Sequence, residues 1–323
     1  MSRIATRIQR PPSRPTARAE ARAGRPGRRT HLERYARAAF LVPALAYVLL
    51  AFALPVVYNT LLSFEHTSPA TIANLVAPFA GTANYKTTLL QSTTQSIILR
   101  TLIFTAGSLF LQFLIGLGLA LLLNVRFPFK TIARSLIIVP WLLPLLVTGI
   151  IFRFLFQLEQ GAVNQILVSL HLVSHPIGFL LTPGWAFVSI LITNIWIGFP
   201  FFTVTLYSAL QDVPAELKEA ALLDGANTWQ RLTRVTLPTI RPVIEVVLVL
   251  GFVFTLKVFD AVIGLTGGGP GNSTQLLATW AYNQSFQQFD YGTGAVINTV
   301  LLILALLAAP VYIWLNKASL RAA

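Results

Sequence analysis

Residues 185–210 read WAFVSILITNIWIGFPFFTVTLYSAL, and residues 211–226 continue QDVPAELKEAALLDGA. The first stretch carries no charge and is longer than the roughly 20 apolar residues a helix needs to cross a bilayer. The second is polar and charged, so the junction reads as a span giving way to a solvent loop. Five more runs of the same kind lie near Ala39–Leu62, Thr101–Leu123, Ser135–Phe156, Val243–Val262 and Gly294–Leu315. Strands of a membrane barrel would be shorter and would alternate apolar with polar residues. The expectation is an all-α membrane protein with six spans.

Composition agrees. Of 323 residues 55% are hydrophobic and only 11% charged, with a mean hydropathy of +0.69. A soluble domain needs about a quarter of its residues charged, so lipid is the main solvent. There is no cysteine, which excludes a disulfide framework and a thiolate metal site. The net charge is +13. Such a balance fits nucleic acid or an anionic membrane face, and the apolar runs select the membrane.

The positive charges set an orientation. Eleven of the 24 Lys and Arg lie between Arg3 and Arg37. With the N-terminus in the cytoplasm, that tail is joined inside by Arg126, Lys130 and Arg134, by Lys218, Arg231, Arg234 and Arg241, and by Lys317 and Arg321. The outer segments then hold only Lys86 and Arg100, as the positive-inside rule requires. Residues 1–38 read as a basic, proline-bearing, disordered cytoplasmic tail and residues 39–323 as the membrane domain. A cleaved signal peptide fits poorly, because the first apolar run exceeds the core of such a segment.

Residues 211–242 form the longest loop on the cytoplasmic side. Pro214 suits a first helical position, Glu216 the positive end of the helix dipole, and Gly225 a left-handed residue that ends the helix. Leu217, Ala220, Ala221 and Asp224 follow helical spacing and offer a narrow face. A second short helix can start at Asn227 or Thr228. Pro238 and Pro242 then break the chain. Spacing alone leaves two readings open: an amphipathic helix lying on the bilayer or on its own bundle, or an element that docks a partner.

The residue string resembles a known family. Glu219-Ala220-Ala221, Asp224-Gly225-Ala226, Leu237-Pro238 and Pro242 are similar to the EAA loop of bacterial ABC importer permeases. Ile138-Val139-Pro140-Trp141 with Pro144, the lead-in Ala209–Pro214, Phe259-Asp260, and Leu265-Thr266-Gly267-Gly268-Gly269-Pro270 extend the likeness. They point to the sugar permeases related to the larger permease of the maltose transporter. Phe79, Gly81, Asn84 and Tyr85 fit the first outer loop of that group, although residues 80–83 depart from its pattern. The resemblance implies a six-span type I ABC importer permease whose loop is a coupling helix. Glu219, Ala220, Ala221, Asp224, Gly225 and Ala226 would then face a partner ATPase. The implied partners are a second permease, two ATPase subunits, an extracytoplasmic solute-binding protein and a sugar, in a bacterial inner membrane with both termini cytoplasmic. The implied mechanism is alternating access.

The chain itself lacks ATP-binding chemistry. No phosphate-cradling loop followed by Lys and Ser or Thr is present, and Gly267–Gly271 has no such lysine. Mg-ATP is therefore expected on partner chains, with no cofactor, catalytic residue or metal on this one and no nucleic-acid role. His171 and His175 have helical metal-pair spacing but no third ligand. A proton-coupled secondary transporter is the alternative; it would need carboxylates at mid-membrane. The acids in the predicted spans are Glu245 and Asp260, near opposite ends of one of them. A sugar path wants amides, hydroxyls and aromatic rings. Asn194, Trp196 and Phe199 on the fourth span and Phe252, Thr255 and Asp260 on the fifth supply these, with plain helix packing or lipid contact as the competing reading. Lys257 and Asp260 are placed to neutralise each other at i,i+3.

Overall fold

The computed structural model describes residues 41–67, 69–73, 77–310 and 312–313. The basic tail and the C-terminal Lys317 and Arg321 lie outside these residues. Among the described residues the one extended pairing is an isolated bridge between Glu65 and Phe79; the rest of the regular structure is helical.

Four helices are long and apolar enough to cross a membrane: α1 (Leu41–Leu62), α2 (Ser92–Asn124), α5 (Pro183–Gln211) and α11 (Tyr291–Pro310). Two bent pairs bring the total to as many as six, if each counts as one span: α3 (Lys130–Leu142) with α4 (Leu145–Leu155), and α7 (Thr228–Thr239) with α8 (Arg241–Leu256). Between them lie α6 (Ala215–Leu223), α9 (Asp260–Leu265) and α10 (Leu277–Tyr282).

Two expected spans are corrected. The run Ser135–Phe156 is not one straight helix; it breaks at Leu143-Pro144 and turns by 101°. Pro144 lacks an N–H and disfavours helical backbone in the residue before it, and Leu143 is extended at ψ 139°. The run Val243–Val262 ends as a helix at Leu256, and Asp260 begins a separate short helix. Lys257 and Asp260 therefore form no ion pair. The one salt bridge among the described residues joins Arg241 to the buried Glu245 at 2.7 Å.

Lipid is as apolar as leucine, so helices in a bilayer associate through close packing by small residues and through polar contacts. Helices α2 and α5 show both. Gly116 lies under Phe202, and a β-carbon at Gly198 would overlap the Gln112 amide. Gln112 Nε2 donates to the Asn194 carbonyl at 2.8 Å. Phe202 also reaches Gly251 on α8, so one ring fills the junction of three helices. Helices α4 and α9 touch backbone to backbone at Gly149 and Gly264. Large apolar side chains on α2, such as Phe110 and Leu114, stay exposed.

Several hydroxyls on these helices bond within the chain, as a medium without water favours, while those of Thr105, Ser108 and Thr148 are buried without a partner. Thr101 Oγ1 donates to Ile97 O at 2.7 Å and accepts from Leu277 N at 3.0 Å, tying α10 to α2. Asn84 and Tyr85 serve structure too: the Asn84 amide donates to the Ser63 and Glu65 carbonyls, and Tyr85 OH bonds Ser63 Oγ at 2.7 Å. At the glycine-rich turn, Thr266 and Thr274 hydroxyls bond at 2.8 Å, and Arg100 Nη1 donates to Asn272 O at 2.7 Å.

Candidate functional site

Two regions carry the residues singled out from sequence. The first is the loop between α5 and α8. Pro214 stands just before α6, at φ −52° and ψ 135°, one position earlier than expected. The helix ends in a Schellman motif. Gly225 has φ +76°, its N–H reaches Leu222 O at 3.0 Å, and Ala226 N–H reaches Ala221 O at 2.9 Å. Asn227 then opens α7 with a reciprocal capping box, its side chain accepting from Gln230 N while Gln230 Oε1 accepts from Asn227 N. Two complete caps therefore fix the angle between two short helices.

The loop is anchored by Val213 and Ala221, both buried. The face expected to pack closely does so only at Ala221; Leu217, Ala220 and Asp224 are exposed. Leu223 is 89% and Trp229 70% exposed. Glu219 is exposed as well and pairs with no cation among the described residues. Leu223, Trp229 and the Glu219 carboxylate are thus left open on two capped helices.

The second region is a cavity of about 440 Å³ where α2, α5 and α8 meet the break between α3 and α4. Asn194 and Phe201 line it from α5, Thr255 and Phe254 from α8, Lys257 and Phe259 from the segment joining α8 to α9, and Asp260 from the start of α9. Asn194 is 6% exposed and its Nδ2 has no partner within the chain. A buried donor left unpaired costs about 1–3 kcal/mol. Lys257 Nζ sits 5.5 Å from the Phe254 ring centre, and Phe254 meets Phe201, which meets Trp141.

The six path candidates divide. Asn194, Thr255 and Asp260 border the cavity; Trp196, Phe199 and Phe252 do not. Trp196 packs edge-on against Phe152 at 5.3 Å. Phe252 borders a separate apolar cavity with Glu245 and Leu304. Sequence reasoning missed Gln112 and quoted Trp141 only as part of the family likeness, not as a path residue. Each left a signal: Gln112 is a lone amide in an apolar run, and Trp141 stands between Pro140 and Pro144.

The family described as binding-protein-dependent transport system inner membrane component matches residues 112–319. This chain belongs to that family. The matched part of the permease contains the capped loop and, from Gln112 to Asp260, every cavity residue named here. The permease is 34% identical over 277 residues to the trehalose/maltose transport system permease protein of Thermococcus litoralis, covering 86% of this chain and 92% of that one. It is 35% identical over 280 residues to the sulfoquinovosyl glycerol transport system permease protein of Agrobacterium fabrum, covering 84% and 87%. Its fold matches a chain in the crystal structure of a bacterial ABC transporter involved in import of the acidic polysaccharide alginate. The TM-score is 0.75 at 23% identity, with 89% of this chain and 99% of that one covered. The fold is thus the all-α ABC importer permease expected from sequence.

Proposed function

We propose that this permease forms the membrane path of an ATP-driven sugar importer, with the cavity as its sugar site and residues 211–242 as its contact with an ATPase. The observation that carries the reading is the unpaired Asn194 amide in a cavity walled by Phe201, Phe254 and Trp141. A sugar presents hydroxyls to an amide and an apolar ring face to an aromatic. Relatives named for trehalose, maltose and sulfoquinovosyl glycerol point to the same substrate class. A solute-binding protein would deliver the sugar, a second permease would close the path, and two ATPase subunits would hold Mg-ATP and carry all the catalysis.

Phe254→Ala and Trp196→Leu separate path from packing. Phe254→Ala removes a cavity ring and should raise the uptake KM about fivefold, the worth of one aromatic contact. Trp196→Leu alters a ring that packs on Phe152, so uptake should fall only with the amount of assembled complex. Sugar uptake in membrane vesicles, normalised to assembled complex, checks both. Unchanged KM in Phe254→Ala, or a raised KM in Trp196→Leu, would count against the assigned path.

The orientation follows the positive charges: both termini and the Asp224 loop in the cytoplasm, the Gly267–Asn272 turn outside. The chain has no cysteine, so single-cysteine labelling is clean. A cysteine at the exposed Asn272 should react with an impermeant maleimide on intact cells, and one at the exposed Asp224 only after permeabilisation. The opposite pattern would invert the topology.

A further inference from the structure

The exposed segment after α10 is the feature that the cavity and the loop leave unexplained. The first part of α10 is buried, with Leu277, Trp280 and Ala281 in the core. The helix then widens into a π turn, Asn283–Gln287, a rare form that collects at functional sites. Ser285 pins the turn against Gly294 of α11, while Phe286 is 62% and Tyr282 40% exposed. The three rings Phe259, Tyr282 and Phe286 follow one another at 5.1 and 5.2 Å. Phe259 is also a wall of the cavity, so the ring series runs from the protein surface to the cavity edge.

The neighbours are amides rather than the apolar residues of a lipid-facing helix. Asn283 Nδ2 donates to Gln287 Oε1. That bond fixes both side chains and leaves one amide oxygen and one amide N–H₂ for a ligand. Paired amides beside exposed rings match a sugar, whose adjacent hydroxyls donate and accept while its C–H face stacks on an aromatic ring.

We propose that Phe259, Tyr282 and Phe286, with Asn283 and Gln287, form an entry subsite that holds a pyranose ring of a saccharide before it reaches the cavity. This rests on the reading of the cavity as a sugar path and extends that path to the surface. The series reaches from the surface to the cavity wall in two ring-to-ring steps, which makes saccharides of two or more rings the fitting class, since one ring can sit on the ledge while another enters the cavity.

The test uses the assembled transporter carrying a single reporter cysteine. Gln288→Cys reports on the ledge and Lys257→Cys on the cavity. Maltose, trehalose, cellobiose, diacetylchitobiose and maltotetraose are titrated up to their solubility limits against maleimide labelling. At least one sugar should slow labelling of Gln288→Cys about fivefold, and adding Phe286→Ala should remove that protection. Phe286→Leu, which keeps apolar bulk without a ring face, replaces Phe286→Ala if the latter fails to assemble. Protection at Lys257→Cys alone overturns the entry subsite and leaves the cavity reading standing. Protection at neither cysteine overturns both. Protection at Gln288→Cys that survives loss of the Phe286 ring also overturns the subsite.

Discussion

Gly225→Val should abolish sugar uptake while Gly225→Asn retains most of it. Gly225 sits at φ +76° with open space where a β-carbon would go, so the penalty is one of backbone conformation, not of collision. A left-handed residue with a β-carbon costs about 1–2 kcal/mol, and β-branching makes it worse. Asn tolerates the conformation and is found at such caps. Relaxing to a right-handed backbone would break the bonds from Gly225 and Ala226 to Leu222 and Ala221, and α6 would swing away from α7. The spans should still insert, because α6 is outside them. The measurement is sugar-stimulated ATPase activity of the purified complex beside uptake. Glu219→Lys should lose coupling by a different route: its side chain is exposed and holds nothing within the chain, so only a partner surface would register the reversal. Wild-type coupling in Gly225→Val and Glu219→Lys together would remove the docking role from this loop.

Gly149→Val should prevent the complex from accumulating at all. A β-carbon at Gly149 would lie 2.5 Å from Ala261 O and 3.1 Å from Gly264 Cα, and one at Gly264 would lie 2.6 Å from Leu146 O. These neighbours are backbone atoms of two helices, and neither can step aside without moving its helix. Overpacking typically costs about 1–3 kcal/mol even where side chains can adjust, so a rigid backbone contact sets the cost at the upper end or beyond. The damage would reach the cavity, because α4 begins at Leu145 and α9 at Asp260, both on its wall. Gly149→Ala should assemble in reduced amount with a lowered melting temperature, and Gly149→Val should yield no complex on a sizing column. Normal assembly of Gly149→Val would mean that α4 and α9 do not pack as described.

Much of this was legible in sequence because membranes impose simple rules. Span length, the bias of Arg and Lys, and the run from Glu219 to Pro242 were enough for the fold class and the loop. Gly225 could be read as a left-handed cap since few other residues tolerate that conformation. The cavity was harder. Helical spacing marks which residues share a face, but not where a helix stops. Pro144 ended one expected span midway, and the break at Lys257 parted that residue from Asp260. Trp196 stands near the middle of α5, yet the direction it faces is set by Phe152, a residue more than forty positions earlier. Gln112 escaped notice because its importance comes from Gly198, which leaves room for the amide on a neighbouring helix.

The most direct test of the central claim is uptake into proteoliposomes holding the complete transporter, with Mg-ATP inside and the loaded solute-binding protein outside. The account predicts sugar accumulation that requires both, is lost in Gly225→Val, and is indifferent to a proton gradient. Accumulation driven by a proton gradient without ATP would contradict it.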